Sequence, residues 1–483
     1  MTDGLEFNEI AFSIIEKDIL RIDSEYYSKK NLRLQKIIEK LNGETIANCG
    51  VKIDCSAFYP SITEFYSKDH ENIPFLRVNE IIHGLISITN NTVFLPHKII
   101  EANNKTIALA YPGDIIIAKG GNTLAKVGLV TNDFPIYATC RDLIVLHTKK
   151  LQKMNKYYLW AFLHCSYGQG LLWRSASQTG QPHLTLSSIA DFHVPEFPDS
   201  FQDSIEEIYK QSVECKREAE KNYSLAEQTL LSHLGLTDFI PSSNAISIKN
   251  ISESFLATGR IDAEYYQPKY YDLFNKLKKF NTKKLGGQNG IVSIKKSIEP
   301  GSDAYCKEGI PFVRVSNMTK YGITNSEIKL SRKILPDIKS LYPRKNTILF
   351  SKDGSVGIAY KIENDSEFVT SGALLHLRVR NPSEIFPDYV TLVLNSIVIQ
   401  LQAERDSNGA IIQHWKPSDI ENAIIPVLDV DTQREISTKV QKSFVLHRRS
   451  EQLLDYTKQA IEIAIEQGED NAIDWLKKKG VDG

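Results

Sequence analysis

Two polar loops carry the side chains best suited to chemistry in this sequence. Ser177-Gln-Thr-Gly-Gln-Pro-His183 and Ser407-Asn-Gly-Ala-Ile-Ile-Gln-His-Trp415 set amides, an imidazole and an indole on glycine-containing stretches. Side-chain amides bond adenine N6 and N7 in pairs, and arginine reads guanine in the same two-pronged way. Gln178, Gln181, His183, Asn408, Gln413 and His414 are therefore candidates for reading base edges, with Arg77, Asn79, Arg174, Arg314 and Asn317 as further candidates. The bland reading also fits, because loop amides often hydrogen-bond their own backbone.

A second pair of strings suits phosphate. Lys119-Gly-Gly-Asn122-Thr, with Lys126 following, and Lys352-Asp-Gly-Ser355 each read as a strand ending in a glycine turn beside a lysine. Such a turn lets backbone N–H groups and a cation approach a phosphate closely. An ordinary hairpin turn fits the same residues. Neither string is a nucleotide P-loop, because the spaced glycine before a Lys-Ser or Lys-Thr pair is absent.

Catalytic constellations are missing. The string nearest to an adenine-methyltransferase motif, Asn381-Pro-Ser-Glu384, lacks the required aromatic, and no glycine-rich cofactor loop follows a strand. Pro198-Asp199 with Glu214-Cys-Lys216 has a nuclease-like composition, but its second half falls inside an expected helix. No Ser, His and Asp arrangement is recognisable from order alone. Cys49, Cys55, Cys140, Cys165, Cys215 and Cys306 are scattered without zinc spacing and read as reduced thiols; no bound metal is expected. Met1-Thr-Asp-Gly-Leu-Glu lacks the basic start of a signal peptide and no apolar run approaches a membrane span, so a cytoplasmic protein without a membrane partner is expected.

The net charge of −1 hides a strong asymmetry. From Lys269 to Lys361 stand 19 Lys or Arg against 7 Asp or Glu, and from Lys105 to Arg174 the numbers are 9 against 3. From Asp199 to Glu227 the balance reverses, 8 acidic against 4 basic. Basic blocks within folded domains are the footprint of a polyanion, since neutralised phosphates release condensed counterions. A solvated lysine-rich surface gives the same composition.

The elements that must position these residues occur twice. Arg21-Ile-Asp-Ser-Glu-Tyr-Tyr returns as Arg260-Ile-Asp-Ala-Glu-Tyr-Tyr, and Ile73-Pro-Phe-Leu-Arg-Val returns as Ile310-Pro-Phe-Val-Arg-Val. Gly128 aligns with Gly357, Ser177–Gly180 with Ser407–Gly409, and Pro195 and Gln202 with Pro426 and Gln433. A repeat this long excludes solenoids, whose periods run roughly 20 to 50 residues. With 42% hydrophobic residues in 483, each copy can bury a core of its own.

Short β-branched runs at Ile81 to Val93 and Ile115 to Val130 predict strands, followed by one helix over Tyr157 to Trp173, or Tyr389 to Ala403 in copy two. Phe201 to Leu234 and Thr432 to Gln467 hold no Pro or Gly and end at Gly235 and Gly468, which predicts two long helices with glycine stops. Ile436, Val440, Phe444, Leu454, Ile461 and Ile465 make an apolar stripe on the second. Ile205, Ile208, Cys215, Ala219 and Ala226 make a poorer seam on the first, which predicts small or polar contacts mid-way if the helices pair. The fold class is α+β, two α/β domains in tandem with a helix after each. The divisions expected are 1–198, 199–236, 237–428 and 429–483. Antiparallel pairing predicts domains at opposite ends of helices roughly 50 Å long, a separation that suits a split site on duplex DNA.

The Arg-Ile-Asp-x-Glu-Tyr-Tyr entry, the Ile-Pro-Phe-x-Arg-Val strand, the Pro112-Gly-Asp-Ile-Ile-Ile-Ala-Lys119-Gly segment and Gly180-Gln-Pro-His-Leu184 resemble the specificity subunits of type I restriction-modification systems. The resemblance spans most of the chain. Copy two departs at Lys345-Asn-Thr-Ile-Leu-Phe-Ser-Lys352-Asp-Gly and at Gly409-Ala-Ile-Ile-Gln-His414, as expected of two domains reading different sequences. The resemblance implies two target recognition domains, each reading half of a bipartite, asymmetric site on double-stranded DNA, with an antiparallel coiled-coil-like helical spacer. It implies a chain that is not an enzyme and holds no cofactor. Two methyltransferase subunits would bring S-adenosylmethionine for host adenine methylation, and restriction subunits would bring ATP and Mg²⁺ to cut foreign DNA. Two other readings stay open: a nuclease of unrecognised fold with duplicated active sites, and a protein-interaction scaffold.

Overall fold

The computed structural model describes residues 7–17, 21–57, 59–89, 91–177, 180–244, 246–332, 338–409 and 413–481. It divides into two compact units, Met1–Cys215 with Arg449–Gly483, and Lys216–Arg448. Each long helix therefore contributes one half to each unit.

In the first unit the strands Lys52–Cys55, Leu143–His147, Ile115–Ala118 and Val127–Leu129 run side by side, extended by the hairpin Leu85–Ile86 and Ile81–Ile82. The second unit repeats the first four as Val292–Lys296, Leu374–Val379, Ile348–Ser351 and Ala359–Lys361, in the same order. A second sheet in each unit holds a parallel pair, Tyr137–Thr139 on Ile73–Leu76 and Val369–Thr370 on Ile310–Val313. A two-stranded ribbon closes each copy, Gly43–Thr45 on His193–Pro195 and Thr282–Lys284 on Ile424–Pro426. The register moves one of the sequence alignments: Gly128 faces Ile116, and the matching pair is Tyr360 on Leu349, so Gly357 lies outside that strand pair, at φ +86°.

The inner strands are apolar on both faces because both are covered. Ile115, Ile117, Ile144 and Leu146 pack with the helices, whereas Ile116, Leu143 and Val145 pack with Phe75 and Tyr137 of the second sheet. Ile348, Phe350, Leu375 and Leu377 repeat the helix-facing set in the second unit.

The single helix expected after the strands is two helices in both copies. Lys156–His164 and Ser166–Ser175 are parted at Cys165 (ψ 168°), and Pro387–Asn395 and Ile397–Asp406 at Ser396, also at ψ 168°. The extended residue turns the chain without any helix-breaking residue type, so the apolar pattern continues across the break.

The long helices run Asp199–His233 and Val430–Gln467, and Gly235 (φ +60°) and Gly468 (φ +91°) take the left-handed residues that stop them. In the second unit Lys439 Nζ donates to Thr229 Oγ1 at 2.9 Å and Tyr223 packs on Phe444, so the helices run antiparallel there. In the first unit Ser212 Oγ donates to the Ser450 carbonyl at 2.9 Å, both residues buried, which is the small, polar contact the poorer seam implied.

Candidate nucleic-acid interface

Each unit brings four chain segments to one edge through a continuous hydrogen-bond ladder. In the first unit the Cys140 amide donates to the Leu76 carbonyl at 2.9 Å, the Lys119 amide to Asp142 at 2.7 Å, the Leu184 amide to Lys119 at 2.8 Å, and the Ser177 amide to His183 at 2.9 Å. In the second unit Ser371 donates to Val313 at 2.9 Å, Lys352 to Ala373 at 2.9 Å, Trp415 to Lys352 at 2.8 Å, and Asn408 to His414 at 2.9 Å. The end of the Arg77 or Arg314 strand, the Lys119 or Lys352 strand exit and the polar loop thus share an edge in both copies. The ladder pairs Asn408, rather than Ser407, with the position of Ser177.

Side chains differ where the backbones agree. Gly120 lies beneath His183, and a Cβ there would meet the imidazole Nδ1 at 2.2 Å. The second copy has Asp353 at that position, and its carboxylate accepts from His414 Nδ1 at 2.8 Å while also contacting the Lys352 ammonium. Asn122 and Gln181 are exposed on the first edge beside Gly121 (φ +70°), and Lys126 is exposed on the return of the same turn. Ser355 and Gln413 are exposed on the second, where the Gly354 amide donates to the Gln413 carbonyl at 2.9 Å. Gln178 lies outside the described residues.

Three candidates turn inward. Arg174 is 7% exposed; its guanidinium lies 3.8 Å from the Tyr26 ring centre and its Nε donates to the Tyr26 carbonyl at 3.0 Å. Arg77 gives its Nη2 to the buried Glu80 carboxylate at 3.2 Å and to the Asn91 carbonyl at 2.9 Å. Asn317 uses Oδ1 to accept the Arg314 amide at 3.0 Å, the inward use that loop amides often make. Asn79 is exposed on the short turn that Glu80 ends. Arg314 takes the place of Arg77 and is exposed, with Asn317 standing where Arg77 has the Glu80 carboxylate.

The basic blocks are only partly outward. Lys361, inside the richer block, is 4% exposed and bonded to Asp388 and Glu363, both at 2.9 Å. Burial works against its charge, but the two carboxylates outweigh it and raise its pKa.

Sequence reading noted the Arg-Ile-Asp-x-Glu-Tyr-Tyr entry but missed its contacts. Arg21 donates to the Ser175 carbonyl at 3.3 Å and to Ala176 at 2.5 Å, residues that launch the first polar loop. Only recurrence could have signalled this, because the partners lie 154 and 155 residues apart.

Residues 277–452 match a family model described as the type I restriction modification DNA specificity domain. The type I restriction enzyme EcoBI specificity subunit of Escherichia coli is 22% identical over 460 residues, covering 91% of this chain and 84% of that protein. A type I restriction-modification S subunit from M. genitalium is similar over 90% of this chain and 96% of its own, at 13% identity and a TM-score of 0.36. The HsdS subunit from Thermoanaerobacter tengcongensis matches 89% of this chain and 96% of its own at 12% identity and a TM-score of 0.27. Both overlays are loose, and the family match and the E. coli relative carry the comparison. Among the described residues no helix is long and apolar enough to cross a membrane.

Proposed function

We propose that this chain is a specificity subunit of a type I restriction-modification system and that it reads a bipartite site on double-stranded DNA, one half with each copy. The observation that carries the proposal is the duplicated edge: two equivalent hydrogen-bonded ladders place Lys119 with Gln181 and His183, and Lys352 with Gln413 and His414, while the side chains between them differ. One backbone frame with two sets of polar groups suits two different half-sites. Lysines and turn amides would hold phosphates, and the loop amides, imidazoles and Arg314 would meet base edges in the major groove.

On this reading the chain supplies no catalysis. Two methyltransferase subunits, using S-adenosylmethionine, modify adenine in the selected site, and restriction subunits using ATP and Mg²⁺ cut unmodified DNA. The paired helices fix the spacer between half-sites.

The test is to express the chain with its partner methyltransferase and map methylated adenines by sequencing. Exchanging residues 1–195 for those of a relative should change one half of the motif and leave the other half intact. A change in both halves, or a purified chain that itself cuts or methylates DNA, would contradict the proposal.

A further inference from the structure

We propose that the two Arg-Ile-Asp-x-Glu-Tyr-Tyr motifs are positioning elements that fix the pose of the reading loops, each acting on the loop of its own copy; the inference rests on the DNA-reading function above. Neither Arg21 nor Arg260 was a candidate for touching DNA. Both instead hold the chain where a polar loop begins.

In the first unit the Arg21 guanidinium is oriented by Asp23, with Nε on Oδ2 at 2.5 Å, and directs Nη1 and Nη2 at the carbonyls of Ser175 and Ala176. Its face lies 4.2 Å from the Tyr26 ring centre, and Arg174 lies 3.8 Å from the same ring. The next residue, Ser177, enters the ladder: its amide donates to the His183 carbonyl, and its Oγ accepts the His183 amide at 3.2 Å. A short covalent and hydrogen-bonded path therefore joins Arg21 to His183 and on to Lys119.

The second unit repeats the device with a different final contact. Arg260 Nε donates to Asp262 Oδ1 at 2.8 Å, its guanidinium lies 4.4 Å from the Tyr265 ring centre, and Arg405 lies 5.0 Å from that ring. Arg260 Nη2 reaches Asn408 Oδ1 at 3.4 Å, and Asn408 exchanges two backbone hydrogen bonds with His414, at 2.9 and 2.7 Å. Two guanidiniums on one tyrosine ring recur at equivalent positions in copies whose loop sequences have diverged. What has been retained is the anchor, and what varies is the group it presents.

Arginine suits this role because its planar fork can address a carboxylate and carbonyls together while its face rests on an aromatic ring. Lysine offers a point charge and no fork. A loosened anchor leaves the loop chemistry intact but spreads its pose, and a small misplacement is enough to spoil paired contacts with a base edge.

The experiment uses the full chain expressed with its partner methyltransferase and reads the adenine-methylation motif. Arg21→Ala and Tyr26→Leu should reduce base discrimination roughly tenfold in one half-site only, and Arg260→Ala and Tyr265→Leu in the other half only, which is the effect expected from loosening one paired base contact. Tyr26→Phe, which keeps the ring, should retain the motif. If Tyr26→Leu does not fold, Arg21→Gln removes the charged fork at similar size and asks the same question. An unchanged motif in the Arg21 and Arg260 variants overturns the inference, as does weaker methylation without any change in discrimination. If the unaltered chain yields no bipartite motif, the DNA-reading function itself fails, an outcome separate from these.

Discussion

Lys361 shows why charge in a sequence does not translate directly into an interface. It belongs to the most basic stretch of the chain, yet its ammonium lies in the second unit between Asp388 and Glu363, and Gln441 Nε2 donates to the other oxygen of Asp388 at 2.8 Å. Removing one member of a buried pair leaves the other charged and unsolvated. Lys361→Met should therefore destabilise the protein by about 3 to 5 kcal/mol, whereas adding Asp388→Leu should recover much of that loss. Urea midpoints of the single and double variants decide this, and an equal loss in both would contradict it. His376 gives a pH signature in the same unit. It is 9% exposed with Nε2 2.8 Å from Thr370 Oγ1, and burial first, then Lys295, brings its pKa from 6.5 down to about 4. Burial also brings His164 to about 4, with Lys458 adding to it. Between pH 6.5 and about 4 the unfolded chain takes up protons that the folded imidazoles refuse, so stability is full above the window and falls as pH drops through it. The unfolding midpoint at pH 5 should lie below that at pH 7, and His376→Gln should reduce the difference. A difference that His376→Gln leaves untouched would assign it to other groups.

Secondary structure was most legible where residue type alone decides it. The long helices were readable because Gly and Pro are absent along each one up to a clear glycine stop at its end, and the strands because β-branched runs alternate with turn residues. The breaks at Cys165 and Ser396 were illegible, since neither residue interrupts a helical pattern. The Arg21 and Arg260 anchors were equally hidden, because their partners are carbonyls or an amide some 150 residues away. The helix seam was partly legible. Its poor apolar pattern implied small contacts, and the structure supplies the buried Ser212 and Ser450 pair, with Ser443 and Thr457 also buried on the second helix. A seam built on small side chains brings backbones close and tolerates little added volume. Ser212→Leu should cost about 1 to 3 kcal/mol by overpacking. Ser212→Ala should cost about 1 kcal/mol, the value of an ordinary hydrogen bond. Thermal unfolding of the two variants tests the order, and a leucine variant as stable as the alanine variant would mean the helices separate there at little cost.

The linear order of the chain, domain then helix repeated once, conceals how its parts are allotted to compact units. Residues 449–483 belong with residues 1–215, and their side chains are part of that unit's main core: Leu453, Leu454, Ile461, Ile465, Leu476 and Val481 are all buried in it. The second unit is one continuous stretch and draws none of its core from that segment. Each buried Leu or Ile contributes roughly 1.5 to 3 kcal/mol, so losing five of them exceeds much of the 5 to 15 kcal/mol by which domains are usually stable. A chain ended after Arg448 should therefore lose hydrogen-exchange protection selectively. Amides of Leu143–His147 and Ile115–Ala118 should exchange fast, while those of Ile348–Ser351 and Leu374–Val379 should stay slow. Equal loss in both sets would show that the two units unfold together, and retained protection in the first would show that its core does not need the returning helix. Selective loss would mean that the first unit is completed only after residues 449–481 have been made, although the rest of it lies within residues 1–215.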